Sequence, residues 1–254
     1  YLARLVASGQ KVALCDQVED PKTAKGLVRR AVTRVLSAGT VLEDSMLAPN
    51  SNNFLSALCL VGDRAGFAAL DPSTGEFMVT EIAGEELQMI ALQELSRIRP
   101  SELLCSDTFS DLPLGELGIA KTEWNQLDAR KALRSLQDHF RVNSLDGFGL
   151  GDNPSAWVAA AMVLTYASKN GLELGHVETI SSYSIESFMG LDPSTRRALE
   201  LTENLSDRSK RFTLLSVLDQ TVTSPGARLL KRWIEQPLLD AKSISARHDA
   251  VERF

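Results

Sequence analysis

The 254-residue chain is 44% apolar and 24% charged, ordinary globular proportions that exclude wholesale disorder or a collagen-like chain. That length suits one large domain or two ordinary ones, and no stretch approaches the ~18 consecutive apolar residues a spanning helix needs. The net charge of −6 is uneven, with seven Lys/Arg against three acids in residues 1–40 and four against fifteen in residues 41–128. The acidic block is a poor nucleic-acid surface, so any phosphate contact belongs to the first block.

In chain order, Tyr1–Ser8 reads as a helix already under way, with Leu2, Leu5 and Val6 on one face and Gly9 as its stop. Lys11–Val18 alternates as a strand, Asp20-Pro21 opens a polar stretch, and Leu27–Leu36 is a second, basic strand. Residues 43–53, acidic and then rich in Asn and Ser, read as a linker. Phe54–Val61, Gly66–Asp71 and Glu76–Ile82 follow as a three-stranded meander, turned by Gly62-Asp63 and by Pro72 to Gly75. Glu85–Ile98 has the apolar spacing of an amphipathic helix, with Leu87, Ile90, Ala91, Leu95 and Ile98 inward. Glu102–Cys105 and Ile119–Thr122 are short strands, and Asp128–Phe140 is a helix. The fold class is therefore α/β, a mixed sheet covered by helices.

Beyond the Gly-rich loop 147–151 the pattern turns helical. Ser155–Lys169 is apolar nearly all round and belongs in a core, and His176–Phe188 is extended. Asp192 caps a helix running to Asn204, with Pro193 at its first position. Thr213–Leu218, Ser224–Glu235 and Ala241–Phe254 complete a helical end. The string Leu-Asp-Pro-Ser-Thr occurs twice, making a turn at 70–74 and starting a helix at 191–195.

Much familiar chemistry is missing from the residues. There is no G-x-x-x-x-G-K-[S/T] loop, so nucleotide binding by that route is not expected. His139, His176 and His248 lack ligand spacing, and no serine sits in a G-x-S-x-G elbow. The three cysteines, Cys15, Cys59 and Cys105, read as small buried hydrophobes in a reducing compartment. Three antiparallel strands followed by helix, strand and helix match the order of RNase H-like nucleases, which hold two Mg²⁺ on clustered carboxylates. Such a site wants an acid in its first strand, and Phe54–Val61 has none; Asp71, Glu76 and Glu81 are the acids nearby. A metal-dependent nuclease with an atypical site is the alternative reading.

Several segments together resemble the MutS family of DNA mismatch repair proteins. Cys15 to Pro21 (C-D-Q-V-E-D-P) and Gly26 to Arg30 (G-L-V-R-R) resemble the end of the mismatch-recognition domain. Gly39-Thr40 continues the match, with Ala38 where the family usually has Pro. Leu70–Phe77 and Pro100–Leu104 resemble the connector domain, and Leu191–Leu205 and Thr213–Leu238 the start of the helical core, or lever. The resemblance implies three parts: residues 1–45 of the mismatch-recognition domain, an RNase H-like connector at 46–152, and the beginning of the lever at 153–254. It implies a chain cut at both ends, without the mismatch reader or the ATPase. Catalysis is then not expected here; ATP and Mg, mismatched double-stranded DNA, a homodimer and MutL belong to the parent, the fragment itself being a monomer of the bacterial cytoplasm with no membrane contact. Its implied work is to couple DNA binding to the ATPase state and to dock MutL. The pattern adds two sets of candidate residues. Arg29 and Arg30 could reach DNA phosphates from a strand edge, and helix Asp128–Phe140 presents Arg130, Lys131, Arg134 and Gln137 as a partner surface.

Overall fold

The computed structural model describes residues 1–19, 26–42, 52–109 and 111–253. Residues 20 and 21, where the polar stretch opens, and residues 43–51 of the expected linker lie outside them.

A short helix, α1 (Leu2–Ala7), leads into an antiparallel hairpin of β1 (Val12–Gln17) and β2 (Arg30–Leu36). Few side chains here leave water: Val6, Leu36 and Val41 are buried, with Val12 and Leu14 packed against them.

The body is a six-stranded mixed sheet. Strands β3 (Leu55–Val61), β4 (Arg64–Asp71) and β5 (Glu76–Ile82) form the expected antiparallel meander. Helix α2 (Leu87–Ile98) crosses over to β6 (Glu102–Cys105), which lies parallel to β3, and β7 (Ala120–Glu123) adds parallel to β6. A two-residue strand, β8 (Ser181–Ser182), pairs parallel to β5, so the order is β7-β6-β3-β4-β5-β8. Between β6 and β7 lies a one-turn helix, α3 (Leu114–Leu117), which the sequence pattern does not announce.

Period-two alternation fills both faces of this sheet. Leu55, Ala57, Cys59, Ala68, Leu70 and Leu104 point to one side, and Leu58, Phe67, Ala69, Leu103 and Cys105 to the other. The first side is covered by α4 (Ala129–Phe140) and α5 (Pro154–Lys169), the second by α2 and Leu114 of α3. Helix α5 is buried on almost every side because it lies between the sheet and α4. The sequence reading gives this helix to the helical segment after residue 152, whereas the structure packs it on the sheet. Its start is fixed by Asn153, whose side chain accepts from the Ala156 amide at 3.1 Å, a cap worth about 1 kcal/mol. It reaches the sheet because Gly66 in β4 has no side chain: a Cβ there would overlap the Ser155 carbonyl.

After β8 the chain forms α6 (Pro193–Ala198), α7 (Leu214–Leu218), α8 (Ser224–Glu235) and α9 (Ala241–Glu252). Asp192 caps α6 as expected, accepting from the Ser194 and Thr195 amides at 2.9 Å. In the earlier copy of the string, Asp71 accepts from the Ser73 amide at 2.9 Å in the same way. There Gly75, at φ +75°, turns the chain into β5 instead of a helix.

Three expectations need correction. The helix from Asp192 stops at Ala198 instead of Asn204, because Glu200 takes φ +45° and its carboxylate binds the Leu205 amide. The extended run 176–188 forms only the two residues of β8, and Ile185–Ser187 closes into a 3₁₀ turn. Cys15 is exposed on the hairpin, while Cys59 and Cys105 are buried as read. Burial pushes the Cys59 thiol up to about 12. Among the described residues, no helix is long and apolar enough to cross a membrane.

Candidate functional site

Two clusters of buried charge stand out, one at an end of the sheet and one on helix α2. At one end Glu102, 1% exposed, interrupts an otherwise apolar strand. Its Oε2 accepts from the Gly39 amide at 3.0 Å and from the Ser37 hydroxyl. Its Oε1 accepts from Thr122 and from the Tyr166 phenol, both at 2.6 Å. The Lys11 ammonium stands 3.9 Å from the same oxygen and 5.5 Å from the centre of the Tyr166 ring. Burial and the adjacent Glu102 charge push the Tyr166 phenol up to about 12. Such a carboxylate is tolerated inside because both its oxygens are satisfied by donors.

The second cluster joins α2 to the chain leading into the helices. Glu94 and Arg97, three residues apart on the buried face of α2, form a two-point ion pair. Tyr183 donates its phenol to Glu94, and the Arg97 guanidinium lies 5.2 Å from the Tyr183 ring and 5.8 Å from that of Phe188. Burial draws the guanidinium down, but its bonds to Glu94 and Tyr183 hold it charged well past the usual arginine range. Further out, Arg232 of α8 pairs with Glu76 of β5, and Arg99 with Glu203 at 2.6 Å. Arg196 donates to the Glu235 carbonyl at 3.0 Å, and the Met189 amide to the Pro237 carbonyl at 2.8 Å. The helical segment is thus tied to β5 by the Arg232–Glu76 pair, to the end of α2 by Arg99–Glu203, and to the chain after β8 through backbone.

The residues singled out from sequence lie elsewhere. Arg29 and Arg30 are exposed at the loop end of the hairpin, where Arg30 pairs with Gln17. The Arg29 backbone amide binds the Glu19 carboxylate at 3.1 Å, placing a negative charge beside them. On α4, capped by Asp128, the structure brings Arg130, Lys131 and Arg134 together on the exposed face above buried Ala132 and Leu136. Gln137 does not join them: it is half-buried and donates to the Asn143 carbonyl at 2.7 Å.

The acids of the nuclease reading are engaged one by one. Asp71 is 1% exposed and accepts from Asn52, Asn53 and Ser73; Glu76 binds Arg232; Glu81 binds Arg64 and the Ser155 hydroxyl. Among the described residues, no group of three or more His, Cys, Asp or Glu could hold a metal ion. His139 and His176 face the carbonyls of Val177 and Pro72.

Three family models match in sequence order: MutS domain I over residues 1–45, MutS domain II over 53–180 and MutS domain III over 194–254. The chain belongs to the MutS family. The DNA mismatch repair protein MutS of Symbiobacterium thermophilum is 44% identical over 99% of this chain, which covers 30% of that protein. MutS of Halothermothrix orenii is 40% identical over the whole chain, and that of Protochlamydia amoebophila 43% over 99%, with 29% and 30% of those proteins covered. The chain therefore spans about 30% of the length of these MutS relatives. Seen on that division, Glu102 joins the stretches matched by domains I and II, and the Arg232–Glu76 pair joins those matched by II and III. The sequence signals for the two buried clusters were present but weak: a Glu directly before Leu103-Leu104-Cys105, and the i,i+3 charge pair Glu94 and Arg97 on the apolar side of a helix.

Proposed function

We propose that this chain is the non-catalytic middle of a MutS mismatch repair protein, coupling mismatched-DNA binding to the nucleotide state of an ATPase and docking MutL. The observation that carries it is that the sheet is tied to both neighbours, through buried Glu102 to the hairpin and through the partly exposed Arg232–Glu76 pair to the helices. A sheet tied at one end to an N-terminal hairpin and at the other to a helical segment can pass a displacement from one to the other. In this reading the sheet body is the RNase H-like connector and the helices from α6 onward begin the lever. ATP and Mg are bound by the whole protein outside these residues, and the homodimer and the mismatch contact belong to it as well.

The exposed Arg130, Lys131 and Arg134 of α4 supply the MutL surface, a basic stripe on a domain whose surroundings are acidic. Charge reversal at Arg130 and Arg134 in the full-length protein tests this. Recruitment of MutL is expected to fall while mismatch binding and ATP turnover persist; unchanged recruitment would remove α4 from the interface.

A further inference from the structure

We propose that Glu102 is the positioning residue that seats the N-terminal hairpin, β1 and β2, on the sheet, so that the hairpin and the sheet body move as one. The consequence for signalling rests on the coupling reading above; the seat itself rests on geometry.

Among the described residues, the N-terminal part has only a small core of its own. That core is three buried aliphatic residues, and β1 and the first half of β2 are mostly exposed. Glu102 gathers donors from the turn after β2 (Ser37, Gly39), from β7 (Thr122) and from α5 (Tyr166), with Lys11 of the hairpin beside them. The turn is itself pre-folded, since Thr40 Oγ1 accepts from the Ser37 amide at 2.8 Å and the Thr40 carbonyl from Arg34 at 3.0 Å. Gly39 completes the seat by shape. A Cβ there would lie 2.9 Å from Glu102 Cβ and 2.9 Å from Leu55 Cδ1. Two further contacts assist it: the Val35 amide donates to the Asn170 carbonyl at 3.0 Å, and the Asn53 side chain donates to the Ala38 carbonyl in the turn at 3.1 Å.

The chemistry selects a carboxylate. Each of the four close partners donates, so both oxygens must accept. A glutamine offers one accepting atom. Turned one way, its NH₂ meets the Gly39 N–H, a donor that cannot rotate. Turned the other way, it forces the Thr122 and Tyr166 hydroxyls to reverse and abandons Lys11. Alanine removes the shared acceptor and leaves the Gly39 amide without its partner.

Hydrogen exchange read by mass spectrometry on the full chain, comparing wild type with Glu102→Ala, Glu102→Gln and Gly39→Ala, tests the seat. Glu102→Ala and Gly39→Ala should speed exchange over 30–42 by about 10- to 100-fold, the loss expected for a buried charge-assisted hydrogen bond. Exchange over β4 and β5 should stay unchanged, and Glu102→Gln should fall between. Gly39→Ala leaves the carboxylate intact, so it decides the matter even where Glu102→Ala does not fold. Unchanged exchange over 30–42 in Gly39→Ala, or equal acceleration in β4 and β5, would overturn the proposal. Mismatch-dependent ATP turnover of full-length Glu102→Gln is a separate arm. Faster exchange with that dependence intact would support the seat and sink the coupling reading.

Discussion

Replacing Gly66 by alanine addresses how α5 reaches the sheet. The new Cβ would lie 3.1 Å from the Ala156 amide nitrogen and well inside contact of the Ser155 carbonyl. Both obstacles are backbone, so no side chain can rotate away. The first turn of α5 must lift, and it is anchored there by Ser155 donating to Glu81 at 2.8 Å and by the Cys59 thiol donating to the Ser155 carbonyl at 3.5 Å. Overpacking costs about 1–3 kcal/mol when side chains absorb it, and a rigid neighbour puts Gly66→Ala at or above about 3 kcal/mol. For a chain of this size that lowers the melting temperature by roughly 6–12 °C. Urea unfolding followed by circular dichroism measures the loss. Gly115→Ala, in α3 with open space around it, is the control, and a helix-propensity gain of under about 1 kcal/mol is expected there. If Gly66→Ala unfolds within about 1 kcal/mol of wild type, α5 is not held at this contact and the packing argument fails.

Replacing both Arg29 and Arg30 by alanine should flatten the salt dependence of duplex binding without changing any preference for a mismatch, because phosphate contacts carry no base information; fluorescence anisotropy across a salt series reads both. The Tyr166 phenol, raised to about 12 by burial and then by Glu102, should remain protonated in a spectrophotometric titration well beyond pH 10. Its folded-state value lies above the ordinary one, so its contribution to stability is complete below about pH 10 and is lost as pH rises through about 12. Tyr166→Phe should remove one late-ionising phenol and leave that of Tyr183, which burial and Glu94 also hold well above the ordinary value, and a chain whose phenols all ionise near pH 10 while still folded would contradict the buried cluster.

The strands and long helices were legible because their patterns are local. Alternation in 55–82, the apolar run of α5 and the Asp-Pro start of α6 each declare themselves within a few residues. What failed depended on contacts that helix or strand spacing does not encode. Asn204 binds Ser209 and the Arg211 carbonyl, stabilising a turn where helical spacing continues on paper. The chain 176–188 is β-branched enough for a strand but meets β5 over only two residues. The clusters around Glu102 and Glu94 were less legible still. Each assembles residues at least 60 apart, Ser37 with Glu102 and Glu94 with Tyr183, and single-chain spacing says nothing about such pairs. The basic stripe of α4 was readable from its helical period, yet Gln137 was diverted by a carbonyl that only the fold brings near.

The way the large sheet ends bears on the behaviour of the chain in a crowded cell. Its outer strands are poor templates for another molecule: β7 is four residues long with a Lys121–Glu123 pair, and β8 is two exposed serines. Short, charged or polar borders of this kind discourage lateral stacking of one copy on the next. The two-stranded hairpin has longer edges that mix the charges of Asp16, Arg30 and Arg34 with exposed Val18 and Val32. Self-association of concentrated or heat-stressed chains should therefore begin at the hairpin, and a lysine at Val32 would be the economical way to raise solubility without touching the core.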